Sequence, residues 1–345
     1  MRKEKDRDYI RTVEDLLFCV VGYTHPPDRI LAYLKYMPSP EGKWGHKQRF
    51  KRMLKQYDAQ SVAEGFKLLA EKYPHYLYED PINSITFSAV PLDFIAERYH
   101  PEEKVKTLTM RTDLDSLEKK TLSLIKIVSQ KSGVPMEKYG VTGSILVNIH
   151  NPSFSDIDLT IYGRQNAIAT KEAILKLKEE KVLDSFQGKE AAEWTRKKVG
   201  MFQLNLKQAE LLLERKWNIG FYKGTRFSIH PIREESEINE KYGDKKFRSK
   251  GFSLIEATVE NVDESLYLPC KYELGNVKII QGEKVENIKE VTSYEGLFCH
   301  FAEKGERIRV GGKLEEVIPK MGQSYHRILI GSPEAQAKDF IHIIT

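Results

Sequence analysis

The sequence contains few cysteines and lacks the signatures of several enzyme classes. Among its 345 residues are three cysteines, Cys19, Cys270 and Cys299, which lie far apart and belong to no CxxC motif. Three such thiols cannot all pair, so we expect buried free cysteines in a reducing compartment and no zinc site. The sequence contains no GxxxxGK(S/T), GxGxxG or serine-hydrolase elbow, so ATPases, dinucleotide-binding enzymes and serine hydrolases have no support.

Long apolar runs are absent near the start of the chain. The charged stretch MRKEKDRDYIRTVED is followed by an apolar run from Leu16 to Val21, which is too short for a signal peptide or a membrane span. We therefore expect a cytoplasmic protein with no membrane association. The content of 40% hydrophobic and 30% charged residues is typical of a folded protein, and the net charge of +5 favours anionic partners.

Hydrophobic spacing and turn residues divide the chain into three predicted domains. The first covers residues 1–105 and combines helical and strand-like segments, which indicates an α/β unit of unknown role. The second covers residues 106–235 and the third, rich in β-type segments, covers 236–345. This length and organisation allow a sizeable buried core in an α+β protein.

Within the first domain, residues 13–23 have the composition of a strand. The apolar positions from Gly45 to about Tyr73 fall mostly three and four residues apart, which predicts helices. The prolines and aromatics between Pro74 and Pro101 indicate an irregular connector with a short helix near Leu92 to Arg98.

Several basic stretches leave two interpretations open. The sequence GKWGHKQRFKRMLKQY, residues 42–57, alternates basic and aromatic residues, as an RNA-binding face or a solvated helix with inward aromatics would. The basic clusters at residues 194–198 and 245–250 are either a track for a polynucleotide or ordinary surface charge. The turn at residues 25–29 is either architectural or a phosphate site formed by Arg29.

The second domain is predicted to begin with a helix capped by Asp113 or Ser116 and running to about Lys131. Further helices are predicted over residues 166–181 and 204–217. Beyond Thr225, short β-type runs separated by Gly, Pro and Asp predict a small antiparallel barrel or sandwich.

The segment from Tyr139 to Gly163, YGVTGSILVNIHNPSFSDIDLTIYG, contains the residues most suggestive of chemistry. Gly143 and Ser144 follow a short apolar strand and open a helix, a turn whose backbone N–H groups suit phosphate oxygens. Asp156 and Asp158 are separated by one residue in the next predicted strand, so both side chains face the same way. Two carboxylates this close repel each other unless a cation lies between them, and such ligands suit Mg²⁺ or Mn²⁺.

A GS turn followed at this distance by a D-x-D strand resembles the signature of the DNA polymerase beta-like nucleotidyltransferase superfamily. The resemblance covers roughly residues 117–235, and the whole chain resembles an archaeal group of predicted nucleotidyltransferases. It implies a central mixed sheet with helices, a nucleoside triphosphate held by Gly143 and Ser144, and metal ions bound by Asp156 and Asp158. The expected reaction moves a nucleotidyl group from the triphosphate to a hydroxyl acceptor, with RNA as our preferred acceptor class.

One departure from the family pattern concerns a third carboxylate, which active members place on a later strand. That strand is predicted to be RFSIHPI, in which Arg226, Ser228 and His230 would face one side, so a serine or histidine stands where an acid is expected. His230 could act as a base for the acceptor hydroxyl. The alternative is a catalytically inactive protein of the same fold that binds RNA or nucleotides. The oligomeric state does not follow from the sequence.

Overall fold

The computed structural model describes residues 2–53, 59–332 and 338–344, with the side chains of residues 59–64 left aside. Three β-sheets follow one another along these parts of the chain, and seven α-helices accompany them. The combination confirms the predicted α+β class. None of the helices in the described ranges is long and apolar enough to cross a membrane.

The first sheet is antiparallel throughout and has the strand order β5-β6-β3-β2-β1-β7, with β4 beside β3. Its core contains Ile10, Phe18 and Leu34, against which Leu69 of the one helix packs. The elements are β1 Tyr9–Thr12, β2 Leu17–Val20, β3 Arg29–Pro38, β4 Phe50–Arg52, α1 Ala59–Lys72, β5 Leu77–Asp80, β6 Ile85–Pro91 and β7 Ile95–Tyr99.

The predicted helix from Gly45 to Tyr73 is wrong in its first part. Phe50 begins β4 and pairs with Pro38 of β3 and, through an isolated bridge, with Trp44. Glycine at position 42 permits this pairing, because the backbone of Phe50 passes so close that a Cβ at Gly42 would lie 2.2 Å from the carbonyl oxygen of Phe50. Tertiary strand pairing therefore overrides the helical spacing. Two positions of the pattern, Leu54 and Tyr57, and the neighbouring Lys55 lie outside the described residues. The second part of the predicted helix is confirmed, because α1 covers Ala59–Lys72.

The stretch from Pro74 to Pro101 is also more regular than predicted. It contains β5, β6 and β7, and the expected helix at 92–98 is a single 3-10 turn, Leu92–Phe94, followed by β7. Each proline stands where no backbone N–H is required: Pro91 ends β6, and Pro101 is the first residue of a helix. The prolines thus mark element boundaries and do not break the sheet.

The second sheet has the order β10-β11-β9-β8, with β9 and β11 parallel and the other pairs antiparallel. The first long helix of this region is capped by Asp115, so the predicted caps Asp113 and Ser116 are wrong by two residues and one residue. Glu118 completes a capping box. The elements of this region are α2 Pro101–Met110, α3 Ser116–Ser132, β8 Tyr139–Val141, α4 Gly143–Leu146, β9 Ile157–Tyr162, α5 Arg164–Glu179, α6 Gly188–Met201, α7 Leu206–Arg215, β10 Ile219–Tyr222 and β11 Thr225–Ile232.

One face of the second sheet is apolar and fully covered. Ile157 and Leu159 of β9 and Phe227 and Ile229 of β11 are completely buried in the core formed with α3 and α5. Strand alternation then directs the intervening residues of both strands to the opposite face. Helix α6, which the sequence pattern did not predict, instead packs its Trp194 into the core of the third sheet.

The third sheet closes on itself, because β12 pairs with both β13 and β15. The circle β12-β13-β14-β16-β15 has the connectivity of the predicted barrel, but its β14–β16 pair is parallel, so the region is not wholly antiparallel. Two of its strands, β14 and β17, were not predicted. The strands are β12 Lys245–Asn261, β13 Cys270–Gln281, β14 Ile288–Ser293, β15 Arg307–Pro319, β16 Tyr325–Ile330 and β17 Phe340–Ile344.

Hydrogen bonds connect the three sheet regions around a central cleft. The backbone N–H of Phe247 in β12 donates to the carbonyl of Ile82 at 2.9 Å, and the Ser84 hydroxyl donates to the carbonyl of Phe247 at 2.6 Å. On the other side of the cleft, the Thr142 hydroxyl donates to the carbonyl of Arg7 at 2.8 Å. The first sheet region thereby contacts both of the others.

Candidate active site

The turn at Gly143 is shaped by the carboxylate that lies against it. Gly143 has a positive φ of 68°, and a Cβ at this position would lie 2.5 Å from Oδ2 of Asp158. The backbone N–H of Thr142 also donates to the carbonyl of Asp158 at 2.9 Å. Glycine is therefore required both by the left-handed backbone and by the close approach of Asp158.

Asp156 and Asp158 line one cavity, as the D-x-D alternation predicts. Asp158 is in β9, partly exposed, and its Oδ1 accepts a hydrogen bond from the Ser228 hydroxyl at 2.5 Å. Asp156 precedes β9 and is exposed. The two carboxylates thus share a site but differ in how firmly the protein holds them.

The electrostatic surroundings of the two carboxylates differ as well. Burial alone would raise the pKa of Asp158, but the charges of Lys35 and Arg7 and the hydrogen bond from Ser228 lower it. Loss of solvation at the cleft floor, followed by the negative charge of Asp158, raises the pKa of Asp156. A cation between the two groups would relieve this repulsion.

The strand β11 places a hydroxyl where the family pattern leads us to expect a third carboxylate. In the parallel β9–β11 register, Ser228 lies beside Asp158 and His230 beside Thr160. Arg226, Ser228 and His230 all line the cavity, as the sequence predicted. The neighbouring Glu234 instead pairs with Lys138 at 2.7 Å.

His230 reaches Asp158 through Ser228. Its Nε2 lies 2.9 Å from the Ser228 oxygen, and burial together with the charge of Arg7 lowers the pKa of His230 well below its ordinary value. Because Ser228 donates its proton to the ionised Asp158, Nε2 of a neutral His230 must donate to Ser228. In this arrangement Nε2 carries a proton, so His230 orients Ser228, and its role as a base stays a prediction.

Ser144, the second residue of the turn, is buried. It does not appear among the described residues that line the cavity, whereas Gly143 and Thr142 do. Its carbonyl accepts the backbone N–H of Ile149 at 3.0 Å, which fixes the loop after the short helix α4. The predicted nucleotide-binding role of Ser144 therefore stays a prediction.

The cavity has a volume of about 950 Å³ and lies between the three sheet regions. The first sheet region contributes Arg7, Lys35 and Arg52 to its wall. Helix α6 adds Lys197 and Lys198, and the third sheet region adds Lys271 and Arg327, which pair with Glu290 and Glu315. Sequence patterns do not predict that Arg7 and Lys35 belong to this site, because both are more than 100 residues from Asp158.

A second cavity of about 460 Å³ adjoins the first. Asp156, Trp194, Lys197 and Arg226 line both cavities, whereas Asp158 lines the larger one. The smaller cavity is otherwise formed by aromatic, acidic and small residues, namely Pro152, Ser153, Phe154, Ser155, Phe186, Glu190, Glu193, Phe221, Gly224 and Thr225.

Another group of metal-type ligands lies elsewhere. Within the described residues, Asp115, Glu118 and His150 bring one ligand atom each within 4.8 Å of one another. Asp115 Oδ1 accepts the backbone N–H groups of Leu117 and Glu118, and its Oδ2 contacts His150 at 2.7 Å. Glu118 accepts from Arg111 and from the backbone of Asp115. These contacts are those of a helix cap, which accounts for the group without a metal.

The comparisons with known proteins agree with the geometry of the Asp156–Asp158 site. A family model described as a nucleotidyltransferase domain matches residues 123–219, which include Gly143, Ser144, Asp156 and Asp158. The uncharacterized protein MJ1086 of Methanocaldococcus jannaschii is 32% identical over 344 residues, covering 99% of each chain. The chain therefore contains a nucleotidyltransferase domain and belongs to the same family as the M. jannaschii protein. No solved structure matches it.

Family membership confirms the resemblance found in the sequence, and it also marks the limit of the match. The matched nucleotidyltransferase domain ends at residue 219, before β11 begins at Thr225. Ser228 and His230 therefore lie outside the matched range. The M. jannaschii relative is itself uncharacterized.

Proposed function

We propose that the protein is a metal-dependent nucleotidyltransferase that moves a nucleotidyl group from a nucleoside triphosphate to a hydroxyl acceptor. The observation that carries this proposal is the carboxylate pair Asp156 and Asp158 at the floor of a cation-lined cavity, with the Gly143 turn against Asp158. Cations of the wall suit a polyphosphate, and the volume of about 950 Å³ is ample for a nucleotide.

The donor set fits Mg²⁺ or Mn²⁺. Asp156 and Asp158 offer hard carboxylate oxygens on one face. Loss of solvation and, second, the charge of Asp158 raise the pKa of Asp156, and a divalent cation would remove the repulsion between the two carboxylates. Such ions, when bound, would orient the acceptor hydroxyl and neutralise charge on the leaving pyrophosphate.

Other residues of the chain position Asp158. Gly143 allows Asp158 to lie against the turn, and Ser228 holds one oxygen of Asp158 by a hydrogen bond. We assign His230 to orienting Ser228 and thereby Asp158.

RNA is the acceptor class that we propose. Strand β12 carries a basic run at the edge of the cleft, where Lys246 and Arg248 are exposed and Lys245 and Phe247 line the cavity. Lys197 and Lys198 of α6 line the same cavity as the two carboxylates. A polyanion could follow these residues into the site, as single-stranded nucleic acids follow basic grooves with aromatic side chains.

The alternative is an inactive protein of this fold that binds nucleotides or RNA. The observation that favours it is Ser228, a hydroxyl at the strand position beside Asp158. In that case triphosphate and RNA would bind, but no label would move between them.

A transfer assay separates the two functions and searches for the acceptor. Each α-labelled nucleoside triphosphate is incubated with Mg²⁺ or Mn²⁺, total cellular RNA and either wild type, the Asp156→Ala/Asp158→Ala double variant or the control Asp93→Asn. Asp93 is an exposed carboxylate of the first sheet region and does not line the cavity. If wild type and Asp93→Asn transfer label to RNA and the double variant does not, the result supports the enzyme. RNA retained equally by all proteins without label transfer supports the binding protein.

A further inference from the structure

The N-terminal part of the chain, whose role the sequence left open, supplies cations directly to the carboxylate site. Arg7 and Lys35 line the larger cavity together with Asp158. The positive charges of Arg7 and Lys35 lower the pKa values of Asp158 and His230, which line the same cavity. Lys35 is only 6% exposed, and its ammonium lies 5.7 Å from the centre of the Tyr9 ring and 5.9 Å from that of Tyr33.

Burying a lysine is costly unless nearby groups interact with its charge. The aromatic rings beside Lys35 provide part of that compensation through cation–π contacts. Asp158 provides another part, because its charge and that of Lys35 attract each other. A bound polyanion would add to both, so the placement of Lys35 is well suited to a phosphate group.

Arg7 is held in an unusual backbone conformation next to the signature turn. Its φ is 70°, in the left-handed region that residues other than glycine adopt rarely. The backbone N–H of Arg7 donates to the carbonyl of Val20 at 3.1 Å, and its carbonyl accepts from the hydroxyl of Thr142, the residue before Gly143. Such strained residues concentrate at functional sites, where surrounding contacts maintain them.

Further contacts attach the N-terminal segment to the second sheet region. Arg2 pairs with Asp8 at 2.5 Å and with Glu102 of α2 at 2.7 Å. Glu102 in turn accepts a hydrogen bond from the Tyr162 hydroxyl at the end of β9. Arg7 itself pairs with the buried Asp6 at 3.4 Å, which limits the directions its guanidinium can take. The position of Arg7 over the cleft is therefore built into the fold.

The two ends of the carboxylate pair face different surroundings. The charges of Lys35 and Arg7 act on Asp158, whereas those of Arg226 and Arg52 act on Asp156. Asp156 also borders the smaller cavity. An in-line displacement needs the leaving group and the attacking hydroxyl on opposite sides of the reacting phosphorus.

We propose that Arg7 and Lys35 bind the β- and γ-phosphates of the donor triphosphate, so that these two N-terminal residues form the pyrophosphate side of the site. The inference rests on the proposed function, because it assumes a nucleoside triphosphate donor. In the transfer, the bond from the acceptor oxygen to the α-phosphorus forms and the bond from that phosphorus to the α,β-bridging oxygen breaks. The acceptor proton passes to solvent, and pyrophosphate leaves toward Arg7 and Lys35.

The test is equilibrium binding of nucleoside triphosphates and monophosphates in Mg²⁺ by calorimetry, using Lys35→Gln and Arg7→Asn. Asparagine tolerates the left-handed backbone of position 7. The matched control is Lys3→Gln, which removes an exposed cation from the same N-terminal segment. Lys35→Arg keeps the charge, and the unfolding temperature of each variant is measured alongside.

We expect Lys35→Gln and Arg7→Asn each to weaken triphosphate binding by about 10- to 100-fold, the loss of a charge-assisted contact, with monophosphate binding within about 3-fold of wild type. Lys3→Gln should bind both ligands like wild type, and Lys35→Arg should retain most triphosphate affinity. Equal weakening for triphosphate and monophosphate, or no weakening, would overturn the inference while leaving the proposed function standing. A wild type that binds no triphosphate at all would overturn both.

Discussion

The two carboxylates of the site stand one residue apart, yet the protein treats them differently. Asp158 is locked between Gly143 and Ser228, and the charges of Lys35 and Arg7 keep its pKa low. Asp156 keeps exposed surface in the cleft, but the cleft walls remove part of its solvation, and this loss together with the charge of Asp158 raises its pKa. Asp158 is thus the packed end of the pair, stabilised in its ionised form by nearby cations. Asp156 is the open end, and its ionised form is disfavoured.

This difference suggests a division of the site between its two substrates. The packed end lies beside Arg7 and Lys35 of the N-terminal region, where a triphosphate would be held in one position. The open end borders both cavities and leaves room for acceptors to approach. A rigid donor side and an accessible acceptor side are what an in-line transfer to a large acceptor requires.

The largest expected effect comes from removing either charge of the pair. Asp156→Asn and Asp158→Asn should each slow nucleotidyl transfer by at least about 100-fold, because each removes a charged metal ligand. Initial rates with a labelled triphosphate measure this. The comparison itself is tested by thermal unfolding without metal: Asp158→Asn should lower the unfolding temperature, and Asp156→Asn should leave it unchanged or raise it, because repulsion is relieved. The reverse order would contradict the assignment of packed and open ends.

A second prediction concerns the glycine that touches the packed end. Gly143→Ala should lower the free energy of unfolding by about 1–3 kcal/mol and also reduce transfer strongly, since the added Cβ meets Oδ2 of Asp158. The matched control is Gly133→Ala at the end of α3, where φ is 72° and nothing lies within 4 Å of the added Cβ. Gly133→Ala should lose stability alone. Equal loss of activity in both variants would mean that the contact with Asp158 is unimportant.

A smaller effect is expected from the hydroxyl that holds Asp158. Ser228→Ala removes one hydrogen bond to the ionised carboxylate, which should reduce the transfer rate by about 10-fold, whereas Ser228→Thr should retain the hydroxyl and most of the rate. If His230 acts through Ser228, His230→Gln should add little to the defect of Ser228→Ala. Full additivity of the two defects would instead favour an independent role for His230, such as that of a base.

The smallest effect should appear as a pH dependence of the donor side. His25 connects the N-terminal segment that contains Arg7 to strand β3, which contains Lys35. Nδ1 of His25 accepts the backbone N–H of Leu31 in β3 at 3.2 Å, and Nε2 contacts the carbonyl of Glu4 at 3.2 Å. Burial lowers the pKa of His25 to about 4. The unfolded chain takes up this proton at a higher pH than the folded chain, so stability should fall from about pH 6.5 toward pH 4, by about 1–3 kcal/mol.

Chemical denaturation at several pH values measures this slope. His25→Gln should show a shallower fall than wild type, and His46→Gln, which replaces an exposed histidine, should follow wild type. If the free energy of unfolding falls equally with pH in wild type and His25→Gln, the titration of His25 does not cause the fall. The contacts of His25 support the architectural interpretation of its turn, and Arg29 pairs with the adjacent Asp28 at 2.8 Å.

The local part of the site could be predicted from the sequence because its signals are short-range. The alternation of Asp156 and Asp158 in a strand, and the glycine turn before them, depend on neighbouring residues. The same alternation in β11 predicted that Ser228 and His230 face one side, whereas the register that places Ser228 beside Asp158 comes from the structure. Helix α6 could have been predicted too, since the run GKEAAEWTRKKVGM consists largely of good helix formers.

The first sheet and its contribution to the site could not be predicted in this way. Phe50 lies in a helix-like pattern, but it pairs with Trp44 and Pro38 across a turn. Arg7 and Lys35 reach the cavity through pairings between distant strands, which leave no periodic trace in the sequence. Charged residues near a chain terminus are common on surfaces, so composition alone does not distinguish these two.

The most direct test of the central claim is the binding of Mn²⁺, followed by electron paramagnetic resonance, with and without a nucleoside triphosphate. We predict that wild type and Asp93→Asn bind Mn²⁺ more tightly when the triphosphate is present, and that Asp156→Asn and Asp158→Asn lose most of this binding. Equal Mn²⁺ binding by all four proteins would contradict a metal–nucleotide site at the carboxylate pair.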